Sequence, residues 1–157
     1  MALKDTTQLL TSLAEYGTIA DIEYALLSNT TTCYTLLEGT AGADYDHYLW
    51  RAPKACTVTG VWLVPNGTLT AHDTNYKTVS VGKEDGAAGG FTDIVTPVTT
   101  KITGGTGNWA IGVVETLTVV PASAHLDAGQ VLAMTTDFTA AGVATPPCAV
   151  VIEYQFD

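Results

Sequence analysis

The stretch His47–Thr70, HYLWRAPKACTVTGVWLVPNGTLT, decides the fold class. Its middle, CTVTGVWLV, alternates: Cys56, Val58 and Gly60 take one face and Thr57, Thr59 and Val61 the other, the period of two of a half-buried strand. Past Val61 the run is apolar on both sides, so this strand starts half-solvated and ends enclosed, between layers or against a neighbouring subunit. Pro53 lacks the N–H that a central ladder needs and separates this strand from the one before it. Pro65, Asn66 and Gly67 suit a tight reversal at its far end. Little in the stretch could do chemistry; it reads as scaffold.

The same grammar continues outward. Short β-rich runs alternate with turn clusters from about Tyr34 on, and predict strands over 32–38, 46–51, 55–64, 76–81, 91–98, 109–119, 130–135 and 148–156. In TNYKTVSVGK, Tyr76, Thr78 and Ser80 alternate with Lys77, Val79 and Val81. In CAVVIEYQF, Ala149, Val151, Glu153 and Gln155 oppose Val150, Ile152, Tyr154 and Phe156. KEDGAAGG, TGGTGNW and TAAGVATPP read as loops. About eight strands in one chain predict a mainly β fold: a single jelly-roll-like antiparallel β-sandwich over 31–157.

Residues 1–30 differ and are expected to form an N-terminal arm. DTTQLLTSLAEYG places Leu9, Leu10, Leu13 and Tyr16 at helical spacing, with a Thr or Asp cap and Gly17 as a stop. One helix that short is marginal alone in water and must dock on something. The following TIADIEYALLS, with Ile19 and Ile22, has no clean period and fits a strand or a helix equally. Leu9, Leu10, Leu13, Tyr16, Ile19 and Ile22 are the candidate contacts of this arm with a neighbouring subunit or another protein.

Composition bounds the partners. The 157 residues suit one domain, which at this size buries roughly 70% of its unfolded surface without disulfides or metals. The chain is 46% hydrophobic but only 14% charged, against about 25% charged in ordinary soluble domains. Its surface is therefore built largely from Thr, Ser, Asn, Gly and Ala. Sixteen acidic residues against six basic ones give a net charge of −10 with no Lys/Arg cluster, which disfavours nucleic acid and anionic membranes as partners. MALKDTTQLL carries no long apolar core, and no run approaches the roughly 18 apolar residues of a membrane helix; a soluble cytoplasmic product is expected. Cys33, Cys56 and Cys148 sit in apolar or Thr-rich runs and read as buried, reduced thiols, with one internal disulfide plus a free thiol as the alternative.

No catalytic constellation stands out. His47, His72 and His125 form no metal-binding spacing and read as surface or rim residues. Asp44 and Asp46 read as a solvated turn, a lone D-x-D being a weak cation signal. Ser80 and Ser123 lie outside any nucleophile elbow, the cysteines lack an electropositive setting, and Gly104–Gly107 lacks the lysine of a phosphate loop. The expectation is a protein that is not an enzyme, with no cofactor and no metal. Among the aromatic residues, Trp109 beside GGTGN is the candidate for an exposed stacking platform.

The order of segments LWRAPKACTVTGVWLVPNGTLTAHDTNYKTVSV (49–81), a glycine-rich loop, LDAGQVLAMTT (126–136) and AVVIEYQF (149–156) resembles a recurrent β-sandwich of tailed-bacteriophage structural proteins, the capsid decoration (cement) proteins and related head or fibre components. The resemblance runs from about Tyr48 to Phe156 and rests on structural motifs. It implies a virion protein, made in the host cytoplasm, that binds the outer surface of an assembled capsid, commonly as a homotrimer. There it would clamp neighbouring subunits of the major capsid protein. A head-fibre, tail or baseplate component is the second expectation, and a carbohydrate- or receptor-binding β-sandwich module the third.

Overall fold

The computed structural model describes residues 28–35, 41–84 and 90–157, the first span by its backbone. Among the described residues there is no helix, and ten strands form: β1 (Ser28–Thr35), β2 (Tyr45–Arg51), β3 (Cys56–Pro65), β4 (Tyr76–Glu84), β5 (Phe91–Asp93), β6 (Val98–Thr99), β7 (Glu115–Leu117), β8 (His125–Leu126), β9 (Val131–Thr139) and β10 (Cys148–Phe156). The first described strand begins at Ser28; Leu9, Leu10, Leu13, Tyr16, Ile19 and Ile22 lie outside the described residues.

The strands lie in two antiparallel sheets, ordered β1-β10-β3-β7 and β2-β9-β4-β5, with β8 also pairing β3 and β6 also pairing β4. Since β5 and β6 share one partner, and β7 and β8 another, they are broken halves of single strands. Eight strand positions remain, and the chain crosses between the sheets at almost every connection. This is a jelly roll, the architecture expected from the sequence.

The core explains which residues make which strands. From one sheet Cys56, Val58, Val61, Leu63, Val150 and Ile152 point inward, and from the other Val79, Val81, Leu132 and Met134. In β10 the buried residues are Cys148, Val150, Ile152 and Tyr154, as the alternation predicts. In β3 the phase changes midway. The register slips where Gly60 faces Glu153 and Val58 faces Tyr154, leaving Thr59 as a bulge. The extra residue moves Val61 and Leu63 to the face of Cys56 and Val58, which corrects the expected placement of Val61 opposite them. Gly60 leaves room beside this bulge for the Trp62 ring, which would have to shift for any Cβ there, 2.3 Å away.

Lys77 follows the alternation of Val79 and Val81 and is 0% exposed. Its backbone N–H donates to Thr100 Oγ1 at 3.0 Å and its Nζ donates to the Ala43 carbonyl at 2.8 Å. At the β2→β3 end, Trp50 and Tyr154 close the gap between the sheets with ring centres 4.6 Å apart, and Phe156 meets Tyr154 edge-on at 5.3 Å.

Candidate functional site

Four connections meet at one end of the sandwich: the described end of β1→β2 (41–44), β3→β4 (66–75), β6→β7 (100–114) and β9→β10 (140–147). The register requires this, because Pro65 faces Cys148, Cys148 faces Thr35, and Tyr76 faces Thr139. Turn-prone residues fill these segments, and their backbone and short polar side chains bind one loop to the next. Asp44 accepts from the Phe138 N–H at 2.7 Å and Asn75 from the Ala141 N–H at 3.2 Å. Asn108 accepts from the Ala71 N–H at 2.8 Å. Asp73 accepts from the Thr103 N–H at 2.8 Å and from its hydroxyl at 3.2 Å. The Thr103 N–H donated to Asp73 is the main reason this carboxyl lies below its ordinary value. Leu69 and Trp109 exchange both backbone hydrogen bonds, at 3.1 and 3.0 Å.

On this plateau the 100–114 loop exposes apolar side chains. Ala110, Ile111, Gly112, Val113 and Val114 are all exposed, with Ile111 at 65%, Val113 at 52% and Val114 at 53%. The Val113 N–H donates to the Ala110 carbonyl at 3.1 Å and the Gly112 N–H to the Pro65 carbonyl at 2.8 Å, with Gly112 at φ +71°. The tip is therefore a defined turn fixed to the end of β3. The expected strand over 109–119 shrinks to Glu115–Leu117 because this turn occupies its first half. The alternation-based reading missed Ile111, Val113 and Val114 as surface residues. The available signal was Gly112 inside an apolar run with no polar residue to alternate against.

Trp109 does not form the expected platform. It is 3% exposed, packs with the core, and its indole Nε1–H donates to Thr106 Oγ1 at 2.8 Å. The bridge to Leu69 draws the residue inward, and the glycines beside it supply the turn rather than an open face.

The titratable groups are spread among structural tasks. His72 Nδ1 accepts from the Thr74 and Asn75 N–H groups, both at 3.0 Å. His125 lies between Asp127 and Asp157 at 3.5 and 3.4 Å. Burial lowers the His47 pKa, against Asp46 and with Lys77. Cys56 and Cys148 are buried thiols, each pushed up to about 11 by burial, with Asp157 adding to the effect at Cys56. Cys56 begins β3 opposite Phe156 and Cys148 begins β10 opposite Pro65, so they lie at opposite ends of the β3–β10 ladder and cannot pair with each other. Asp137 is raised by desolvation and then by Asp44, Asp46 and Asp93, while Asp93 accepts from the Ser80 hydroxyl. Among the described residues no three His, Cys, Asp or Glu side chains are grouped to hold a metal ion.

No protein-family model matches the chain, and no curated protein matches it. Among solved structures, a chain of the cyanophage Pam1 capsid asymmetric unit is similar at 15% identity and a TM-score of 0.40, over 83% of this chain and 87% of that one. A chain of the infectious bursal disease virus Gx strain matches 82% of this chain at 10% identity and a TM-score of 0.36; only 32% of its own length is covered. The VP2 protein of the same virus, from T=1 particles, matches 82% of this chain and 36% of its own, at 12% identity and a TM-score of 0.27. The chain thus spans about a third of the two bursal disease virus chains. The jelly-roll assignment rests on the strand order of the two sheets, independently of these likenesses.

Proposed function

We propose that the protein is a viral structural protein that decorates the outer surface of an assembled phage capsid, bridging neighbouring major capsid subunits. The observation that carries this reading is the loop plateau: connections held by hydrogen bonds to one another and, through Asp44, to β9, presenting an uncharged apolar tip on an otherwise acidic chain. Such a tip marks a surface made to be covered by protein. The jelly roll hosts capsid, lectin and cupin domains alike, so fold alone selects none of them. The phage resemblance of residues 48–156 favours the first.

The mechanism is linkage. A ligand that binds only the assembled lattice stabilises it by mass action. If three copies associate, docking one raises the effective concentration of the other two. The expected N-terminal arm over 1–30 would supply the remaining contacts through Leu9, Leu10, Leu13, Tyr16, Ile19 and Ile22. Quantitative mass spectrometry of purified particles tests the reading: decoration requires copies in the hundreds per particle, whereas a tail or fibre part is present in tens or fewer. A chain lacking residues 1–27 is expected to unfold cooperatively and to lose capsid binding; full binding by that chain would refute the role of the arm.

A further inference from the structure

Of the six large apolar side chains exposed among the described residues, five lie at the plateau end: Ile102, Ile111, Val113, Val114 and Phe138. The sixth, Tyr48, is on β2. Carboxylates flank this apolar set. Asp73 accepts from the Thr103 N–H and hydroxyl, next to Ile102. Asp44 accepts from the Phe138 N–H at 2.7 Å, and Asp137 precedes Phe138 in β9. Glu115, half-buried, follows Val114, and Asp44, Asp73 and Asp137 are exposed.

The described cations do little to offset them. Arg51 and Lys54 border the β2→β3 connection at the opposite end of the sandwich, where the Lys83 Nζ donates to the His125 carbonyl at 2.8 Å. Lys77 is buried, and the Lys101 Nζ lies over the Tyr76 ring at 4.3 Å. The plateau is therefore an apolar surface set in a negative field.

We propose that the plateau docks on a protein surface of opposite design, an apolar depression rimmed by lysine or arginine side chains. This rests on the plateau being the covered surface of the proposed function, and it names the chemistry of what covers it. Charge complementarity selects the occupant. A second copy brings the same carboxylates to the contact and is repelled. Nucleic acid and anionic lipid carry the same sign. A neutral bilayer fits no better: the turn cannot enter it without Glu115, nor Phe138 without Asp137, and a carboxylate in hydrocarbon is costly. Membrane-seeking surfaces carry lysine, arginine and interfacial aromatic residues instead. Against a basic rim the carboxylates are paired by the same contact that buries the apolar side chains. Asp44 and Asp73 are already fixed by backbone N–H groups, so little ordering cost opposes it.

Calorimetric titration of the full chain with a synthetic peptide of alternating leucine and lysine tests the inference. Peptides with serine for leucine, or glutamate for lysine, should bind at least about tenfold more weakly. Raising salt from about 10 mM to about 1 M shortens the Debye length from about 30 Å to about 3 Å and should weaken the leucine–lysine complex. Ile111→Ser combined with Val113→Ser should cost about tenfold. Asp44→Asn combined with Asp73→Asn keeps the oxygens that accept from Phe138 and Thr103; it should cost about threefold at low salt and flatten the salt dependence. Tyr48→Ser and Asp127→Asn, at exposed positions away from the plateau, should change nothing. Carbodiimide coupling of the bound peptide should join its lysines to Asp44, Asp73, Glu115 or Asp137, as read by peptide mapping. No binding of the leucine–lysine peptide, equal binding of all three peptides, plateau variants that bind like wild type, or coupling confined to carboxylates of the opposite end would each overturn the proposal. So would capture of the chain by phosphatidylcholine vesicles that Ile111→Ser abolishes. The proposed function fails separately: tens of copies per particle or fewer, with a plateau that still binds the peptide, removes decoration alone. Copies in the hundreds, with a plateau that ignores the peptide, remove this inference alone.

Discussion

Replacing Trp109 with alanine should cost the fold about 4 kcal/mol. The indole is 97% buried, the complement of its 3% exposure, and a buried aromatic ring removes about 150–250 Å² from water. At about 25 cal/mol per Å² that is roughly 4–6 kcal/mol, of which the alanine methyl retains a small part. Measured aromatic-to-alanine substitutions cost about 3–5 kcal/mol. The loss also removes the donor to Thr106 Oγ1, but Thr106 is half-buried and keeps its own contact to the Thr99 carbonyl at 3.3 Å. For a chain of this length, about 4 kcal/mol corresponds to a fall in Tm of roughly 8–16 °C. Trp109→Phe keeps most of the apolar volume and should lose about 1–2 kcal/mol. Urea titration followed by circular dichroism measures both, with equal m-values as the check on two-state behaviour. A loss below about 1 kcal/mol for Trp109→Ala, beyond the few tenths typical of surface positions, would refute the buried placement and revive Trp109 as a surface platform.

Thr136 Oγ1 is a buried side-chain oxygen without a hydrogen-bond partner; Thr136→Val keeps the shape, removes the stranded hydroxyl, and should raise stability by about 1 kcal/mol in the same titration. Asp137 is held above its ordinary value by desolvation and by Asp44, Asp46 and Asp93. The folded state therefore retains a proton that the unfolded state has released, and stability from this group falls as pH rises through the ordinary carboxyl range. Asp137→Asn should raise stability slightly at pH 7, by about a few tenths of a kcal/mol in so exposed a setting, and leave it unchanged at a pH where the carboxyl is already protonated. The thiols of Cys56 and Cys148 rise to about 11, so their contribution is intact below the ordinary thiol value of about 8.5 and is lost as pH climbs from there towards 11. At pH 8 an aromatic disulfide reagent should label neither in the folded protein and both after unfolding, which tandem mass spectrometry of the labelled peptides resolves by site.

The strands most legible in the sequence are those whose two faces differ throughout. β10 shows its buried and outer sets directly because no bulge interrupts it and each position keeps its phase. In β3 the alternation is readable only up to Val58; the slip at Thr59 depends on what β10 presents across the ladder, and a single sequence does not display its partner. Lys77 shows the opposite case, where the alternation was right and chemical intuition alone would have placed a lysine outside. The turn at Ile111–Val114 and the burial of Trp109 depend on Pro65 and Leu69, forty or more residues away, so glycines beside a tryptophan looked like an open platform. The arm residues from Leu9 to Ile22 are outside the described chain, and their role remains part of the proposal.

The place of β10 between β1 and β3 also sets the order in which the protein can be built. Ser28 pairs with Gln155, and β3 waits beside an empty lane until β10 has been synthesised. On the ribosome, β1 and β3 both present open edges with no partner between them, the condition under which strands pair with a neighbouring chain instead. Such long-range closure is slow. Closure of this sheet must therefore wait until β10 has left the ribosome, and high expression at elevated temperature should lose protein to aggregates at this step, before any defect of the finished fold is tested.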